Sequence, residues 1–234
     1  MTSASSPPPL HSLQALLSSL EALGPRPALV WYGEQSRIEL SGHVLANWVI
    51  KTVGHLDAEV MLERDELVLL DLPPHWKRLV LALAAWGLGA RVAIGDGAST
   101  DPALPSDDEV RVLATDRPGS AARADDADEV LALDARSLSL RFDGELPPLV
   151  HDWAQEVRAH PDHLAVPLGT WAGPEPSPLP ASLTEAPGAR LLVVADGLTD
   201  PAPLLTALLE GRGIVGPAES VTSHQAQQED AREA

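Results

Sequence analysis

Apolar residues recur along most of this chain at helical and strand periods, and the two patterns alternate. Leu10, Leu13, Leu16, Leu17, Leu20 and Leu23 return every three to four residues until Gly24-Pro25 ends the run, which predicts one amphipathic helix. Leu13-Gln14-Ala15-Leu16-Leu17 within it has the LxxLL form of a partner motif, yet any leucine-rich amphipathic helix produces that string, and core packing explains these leucines first. Ala28–Tyr32 and Arg37–Leu40 are β-prone runs joined through Gly33 to Ser36, so they predict a hairpin. Ser41 is placed to cap a helix whose apolar positions Val44, Leu45, Trp48, Val49, Thr52 and Val53 follow the 3.6 period up to Gly54.

Leu67–Leu70 is a continuous apolar run ending at Asp71, as in a strand covered on both faces. Pro73-Pro74 turns the chain into a strongly apolar helix, Trp76–Leu88, which Gly89 terminates before the strand Arg91–Ile94. A strand, a helix and a strand in that length make a βαβ crossover, and such crossovers imply a parallel sheet with helices on its faces. Leu191–Ala195, Pro203–Leu209 and Gly213–Val215 repeat the pattern. The fold class expected is therefore α/β, a layered parallel or mixed sheet with flanking helices.

Between these units the pattern is more broken. Glu109–Ala114 and Glu129–Leu133 read as short strands, and Leu149–Ala159 as a helix with Val150, Trp153 and Val157 on one face, ended by His160-Pro161. Pro167, Pro174, Pro176, Pro178, Pro180 and Pro187 predict an extended, poorly ordered connection. The expected organisation is an unstructured N-terminus over 1–9, one α/β domain over 10–216 with a proline-rich loop near 167–188, and a disordered acidic tail over 217–234.

Composition narrows the functions open to such a domain. In 234 residues, 44% are hydrophobic, enough for a substantial core. A formal charge of −18 argues against nucleic acid as a partner, because a polyanion site needs clustered Lys and Arg. Zero Cys removes disulfides, zinc-thiolate sites and a cysteine nucleophile together, and fits a cytoplasmic protein. Met1–Pro9 has no basic residue and no apolar core of the kind a secretory signal carries, and no apolar run approaches the roughly 20 residues of a membrane span. Six Trp stand against one Phe and one Tyr; Trp31, Trp48, Trp76 and Trp86 fall on predicted strands and helices, where core packing accounts for them before ligand stacking does.

Glu39-Leu40 with Ala46, then Leu72-Pro73-Pro74, then Ala85-Trp86-Gly87-Leu88-Gly89-Ala90 follow one another in an order that resembles the opening of the acyl-adenylate-forming (AMP-binding) enzymes. They resemble most closely a short, uncharacterised actinobacterial family related to those enzymes. The resemblance covers about Pro27 to Gly95, and extends more weakly to Val112–Asp116 and Arg190–Gly216. It implies the N-terminal subdomain of the adenylate-forming fold. It would also imply acyl-AMP formation from a carboxylic acid and ATP, for which the family uses a Ser/Thr/Gly-rich phosphate loop ending in Lys. No such loop is found: Gly119, Gly144, Gly169, Gly173 and Gly188 form no cluster followed by Lys. The nearest string, Gly169-Thr170-Trp171-Ala172-Gly173, has no basic residue, and Trp171 would fill the space of a phosphate. The family's adenine motif, ribose-binding Asp and C-terminal Lys are expected to be missing as well.

Replacement chemistry has one candidate constellation, His151, Asp152, Glu156, His160 and His163, where a carboxylate and imidazoles could converge on a metal. Its spacing matches no established ligand pattern, and the alternative is a polar helix end with Asp152 near the N-terminus and His160 near the C-terminus. His75 is placed to cap the Trp76 helix. Ser99, Ser106 and Ser120 lack the flanking glycines of a nucleophile elbow. Asp116 and Asp196-Gly197 follow strands at their C-terminal ends, where open α/β sheets bind ligands, although a tight turn also selects Asp-Gly.

The sequence therefore leads to no catalytic, cofactor-binding or metal-ligating assignment, with a ligand pocket at Asp116, Asp196 and Gly197, and no cofactor. The expected function is a truncated, non-catalytic AMP-binding-enzyme-like module for a protein partner or a small acyl or aromatic ligand. The alternative is a ligase-like acyl-activating protein that completes its site with another chain.

Overall fold

The computed structural model describes residues 12–33, 36–95, 108–134 and 138–233. The expected unstructured N-terminus over 1–9 lies outside the described residues, as do Ser99 and Ser106. In chain order the elements are α1 (Leu13–Leu23), β1 (Pro27–Tyr32), β2 (Arg37–Ser41), α2 (Gly42–Ala58), β3 (Leu67–Asp71), α3 (Trp76–Leu88), β4 (Arg91–Ile94), β5 (Val112–Thr115) and β6 (Glu129–Ala132). They continue as β7 (His151–Asp152), α4 (Trp153–Glu156), α5 (Ala181–Thr184), β8 (Arg190–Leu192), α6 (Pro201–Leu209), β9 (Ile214–Gly216), α7 (Ser223–Gln228) and β10 (Ala231–Glu233).

Two sheets form, one ordered β10-β8-β9-β1-β2 and the other β4-β3-β5-β6-β7. The β1–β2 hairpin is antiparallel, and the β3-α3-β4 and β8-α6-β9 units are parallel crossovers, as their sequence periods require. One continuous core joins the sheets. It takes Leu29, Trp31, Leu40 and Ile214 from the first and Val68, Leu70, Val112 and Leu131 from the second, with α1, α2, α3 and α6 between them. In this layer α3 is buried along its whole length, which is why it is apolar all round apart from Lys77 and Arg78. Alternation then leaves an outer face on each sheet. Leu67, Leu69, Leu113 and Val130 are covered by Ala121, Ala124 and Ala127, so β3 is buried on both faces.

On the first sheet the outer residues Val30, Tyr32, Leu192 and Val215 are covered by Ala218, Val221, Ala226 and Ala231. This corrects the expected disordered tail. Residues 218–233 hold α7, with Thr222 and Gln225 in a reciprocal capping box, and β10 pairs in parallel with β8. The tail is polar in composition because only a few small apolar residues are needed to close that face. The proline-rich connection is likewise pinned rather than loose: Gly169 N donates to Gly87 O at 3.0 Å, Ala172 N to Trp86 O at 3.0 Å, and Leu183 of α5 is fully buried.

Two predicted elements are shorter than their periods suggest. Leu149 has φ +67° and is 94% exposed, so the predicted helix from Leu149 begins only at Trp153; His151 and Asp152 before it extend the second sheet as its edge strand. The run Leu191–Ala195 leaves the sheet after Leu192, and Ala195 turns with φ +51°. That turn brings Asp196 beneath α3.

Candidate functional site

The C-terminal ends of the strands carry the expected pocket residues, but in separate ion pairs. Asp196 is 1% exposed and accepts from Arg78 Nε at 2.5 Å and Arg78 Nη2 at 2.9 Å, a bidentate pair. His75 N at 3.2 Å and Leu198 N at 3.3 Å also donate to it, so both oxygens are saturated. The remaining Arg78 donor goes to Leu72 O and Gly95 O at 2.9 and 3.1 Å. Gly197 sits at φ +78° against Leu204 and Val193, where a side chain would both strain the turn and collide.

Asp116 belongs to the second pair, with Arg117. Arg117 reaches Asp71 Oδ2 at 3.1 Å and Asp116 Oδ1 at 3.4 Å, and burial pushes the Asp116 carboxyl above its ordinary range despite that guanidinium. His75 caps α3 as its position predicts, its Nδ1 accepting from Lys77 N at 3.3 Å. Burial, helped by the Lys77 and Arg78 charges, drives its imidazole down to about 3, so it stays neutral at any physiological pH. Lys77 is 1% exposed and donates to Asp134 O at 2.8 Å; burial lowers its amine to about 8. Lys51, the other lysine, donates to His160 O and pairs with Asp162 at 2.6 Å.

The string Gly169–Gly173 packs against the end of α3. A Cβ at Gly169 would run into the Leu88 carbonyl, and Trp171 meets Trp86 edge-on with centroids 5.7 Å apart. Close packing is what these glycines serve. Two open clefts lie elsewhere, one at the β1–β2 turn and one at the N-terminal ends of β3 and β4. One, of about 410 Å³, lies between Tyr32, Arg37, Gln225 and Glu229, and another, of about 440 Å³, between Arg64, Arg91, Arg111 and Asp128.

The histidine constellation is partly assembled. His151 Nδ1 lies 2.7 Å from Glu156 Oε2, and Asp152 caps α4 through Gln155 N while its other oxygen takes Phe142 N at 2.9 Å. His160 stands edge-on to His55 with centroids 5.7 Å apart, whereas His163 is exposed and outside the group. Two members escape a reading of the sequence. His55, on the last turn of α2 and fully buried, places Nε2 3.0 Å from the same Glu156 Oε2, and Glu129 Oε2 lies 3.2 Å from His151 Nε2. His55 stands 101 residues from Glu156, so no local motif joins them. The available signal is that His55 continues the buried stripe of Val49, Thr52 and Leu56, where a titratable side chain needs a partner.

These contacts pull the groups apart in acidity. Burial, with His151 and His160 beside it, holds the His55 imidazole below its ordinary value despite Glu156. Burial opposes the charged form of His151 too, but Glu156 and Glu129 outweigh it and raise its pKa. Burial would raise Glu156, and the two imidazoles outweigh that and lower it.

The two-sheet α/β architecture is like that of an acyl-CoA synthetase in fold. Among solved structures it resembles an acyl-CoA synthetase of Brucella canis, with a TM-score of 0.59 over 86% of this chain and 42% of the synthetase at 17% identity, a likeness of fold. In sequence, the chain is 34% identical to a Mycobacterium tuberculosis TIGR03089 family protein over 146 residues, 62% of this chain and 57% of that protein. The chain thus spans about half the length of these proteins. No family model matches it. Among the described residues, no helix is long and apolar enough to cross a membrane.

Proposed function

We propose that this chain is a non-catalytic module on the AMP-binding-enzyme fold, which works in the cytoplasm and binds a protein partner or a small acyl or aromatic ligand rather than adenylating a substrate. The observation that carries this reading is the Arg78–Asp196 pair. At the sheet ends where an open α/β fold presents its ligand-binding groups, the carboxylate is saturated by a guanidinium and two backbone amides. A group in that state has no lone pair left to orient a ribose or a magnesium ion. Both lysines of the chain are also committed, Lys51 to His160 O and Asp162, and Lys77 to Asp134 O.

Isothermal titration with ATP and magnesium tests the proposal. The expected result is no heat of binding at micromolar nucleotide and no pyrophosphate release with a panel of carboxylic acids. Micromolar ATP binding would overturn it. A second reading, in which the chain completes a ligase-like site with another polypeptide, rests on the likeness of fold to an acyl-CoA synthetase. Recovery of a stoichiometric adenylating subunit with the protein from its host would establish that reading in place of the first.

A further inference from the structure

We propose that His55, His151 and Glu156 form a zinc site, with Glu129 as the carboxylate that fixes the His151 ring. The three donor atoms, two imidazole nitrogens and a carboxylate oxygen, lie within 4.8 Å of one another. They come from three segments, the end of α2, the edge strand β7 and α4, which the fold packs together. Ligands about 2.0–2.1 Å from a tetrahedral zinc stand roughly 3.4 Å apart. The observed separations of 3.0 Å from His55 and 2.7 Å from His151 to Glu156 Oε2 are therefore about 0.4 and 0.7 Å shorter than in that shell, so the side chains part slightly to admit the ion.

Chemistry supports the assignment beyond proximity. Two imidazoles and one carboxylate are the ligand set of a catalytic-type zinc centre that keeps one position open. His151 turns its second nitrogen to Glu129 Oε2 at 3.2 Å, the carboxylate–histidine arrangement that fixes which ring nitrogen faces a metal. Glu156 uses its other oxygen to accept from Asp152 N at 3.0 Å, which leaves Oε2 for the ion. Glu156 brings a negative charge to the ion, and Glu129 a second that Arg111 Nη1 approaches at 3.9 Å, so a divalent ion meets carboxylate charge that one guanidinium only partly offsets. His55 Nδ1 is buried and has no partner whether Nε2 holds a proton or a metal, so its cost does not oppose binding. The His151 and Glu156 side chains are 21% and 33% exposed, which gives the ion a path from solvent and the open position access to water.

The site stands at the edge of the second sheet, away from the Arg78–Asp196 pair, and does not depend on the function proposed above. Its test uses the whole chain, stripped with chelator, equilibrated with excess zinc sulfate, gel-filtered and analysed for metal, with affinity read by competition against a chromophoric chelator. One zinc per chain is expected. His151→Asn and Glu156→Gln should weaken binding by at least about 100-fold, and Glu129→Gln by about 10- to 100-fold. His163→Asn and His224→Asn should bind as the unaltered chain does. His151 lies on a part-exposed edge strand, so its variant keeps the test decisive even if replacement of buried His55 prevents folding. A chain that retains no zinc overturns the proposal. So does wild-type affinity in His151→Asn, or an equal loss in His163→Asn, which would mean that scattered surface histidines hold the metal.

Discussion

Arg78 on α3 and Asp196 after β8 form a bidentate ion pair with both side chains out of water, 3% and 0% exposed. Arg78 belongs to the helix that crosses the second sheet, and Asp196 to the turn that leaves the first, so the pair ties the two sheets at one point. Removing one partner leaves a buried charge unpaired, which typically costs about 3–5 kcal/mol. Asp196→Ala is expected to lower unfolding stability by that amount in urea titration. Arg78→Met with Asp196→Ala should cost less than the sum of the two single changes, since no lone charge remains.

Trp153 is fully buried and stacks on Trp48 with centroids 5.5 Å apart and an interplanar angle of 21°. Trp153→Ala is expected to destabilise the chain by about 3–5 kcal/mol, read from the shift of the urea midpoint at unchanged slope. Trp86, 6% exposed, belongs to the same core, and Trp86→Ala should fall in a similar range.

Gly42 begins α2 where the backbone of α1 passes. A Cβ there would collide with the Leu20 carbonyl and lie 2.7 Å from Leu23 Cβ, and Gly42 N donates to Arg26 O at 3.0 Å. The obstacle is backbone, which cannot swing aside. Gly42→Ala should therefore cost about 1–3 kcal/mol, although alanine has the higher helix propensity, and thermal unfolding reads the sign directly.

Glu229 holds the tail against the first sheet, accepting from Tyr32 Oη at 3.0 Å, Arg37 Nε at 2.9 Å and Arg190 Nη1 at 2.5 Å. Burial would raise its carboxyl, but the bonds from Arg37 and Tyr32 and the charges of Arg37 and Arg190 outweigh it and lower the pKa. A lowered folded pKa gives stability that is fully present above the unfolded value of about 4.3 and is lost as pH falls through the folded value. The protection factors of the 218–233 amides, corrected for the intrinsic slowing of exchange in acid, should therefore fall with pH ahead of those of the rest of the chain. Glu229→Gln should weaken the clasp by about 1.5–3 kcal/mol at pH 7 and flatten that pH response.

Deleting 218–234 should expose Val30, Tyr32, Leu192 and Val215 along a sheet face. The truncated chain is expected to aggregate or to bind a hydrophobic dye strongly, because an uncovered apolar sheet face is an association surface. A truncated chain that remains monomeric with unchanged thermal stability would show that the cover contributes nothing.

The hairpin β1–β2 and the two βαβ units were legible because their signals are local. A turn at Gly33, a cap at Ser41 or His75, and an apolar run such as Leu67–Leu70 each act within a few residues. The burial of α3 on every side was legible too, since its length is apolar. The pocket residues were less so. Their strand-end positions follow from the chain, but Arg78 comes 118 residues before Asp196, and its saturation of that carboxylate is a matter of packing. Likewise the sequence offered His151 and Glu156 as neighbours, while His55 and Glu129 join them only across α2 and β6.

By itself the sequence determined the alternation of helices and strands, the parallel crossovers and the acidic, cysteine-free character of the chain, because periodicity, capping and composition are properties of short segments. The tertiary structure decided that the polar tail closes a sheet face, that Asp196 serves an ion pair, and that four titratable side chains from distant segments meet at one edge. Those outcomes depend on which surfaces the core brings together. That choice is made by burial of apolar area over the whole chain, to which no local pattern has access.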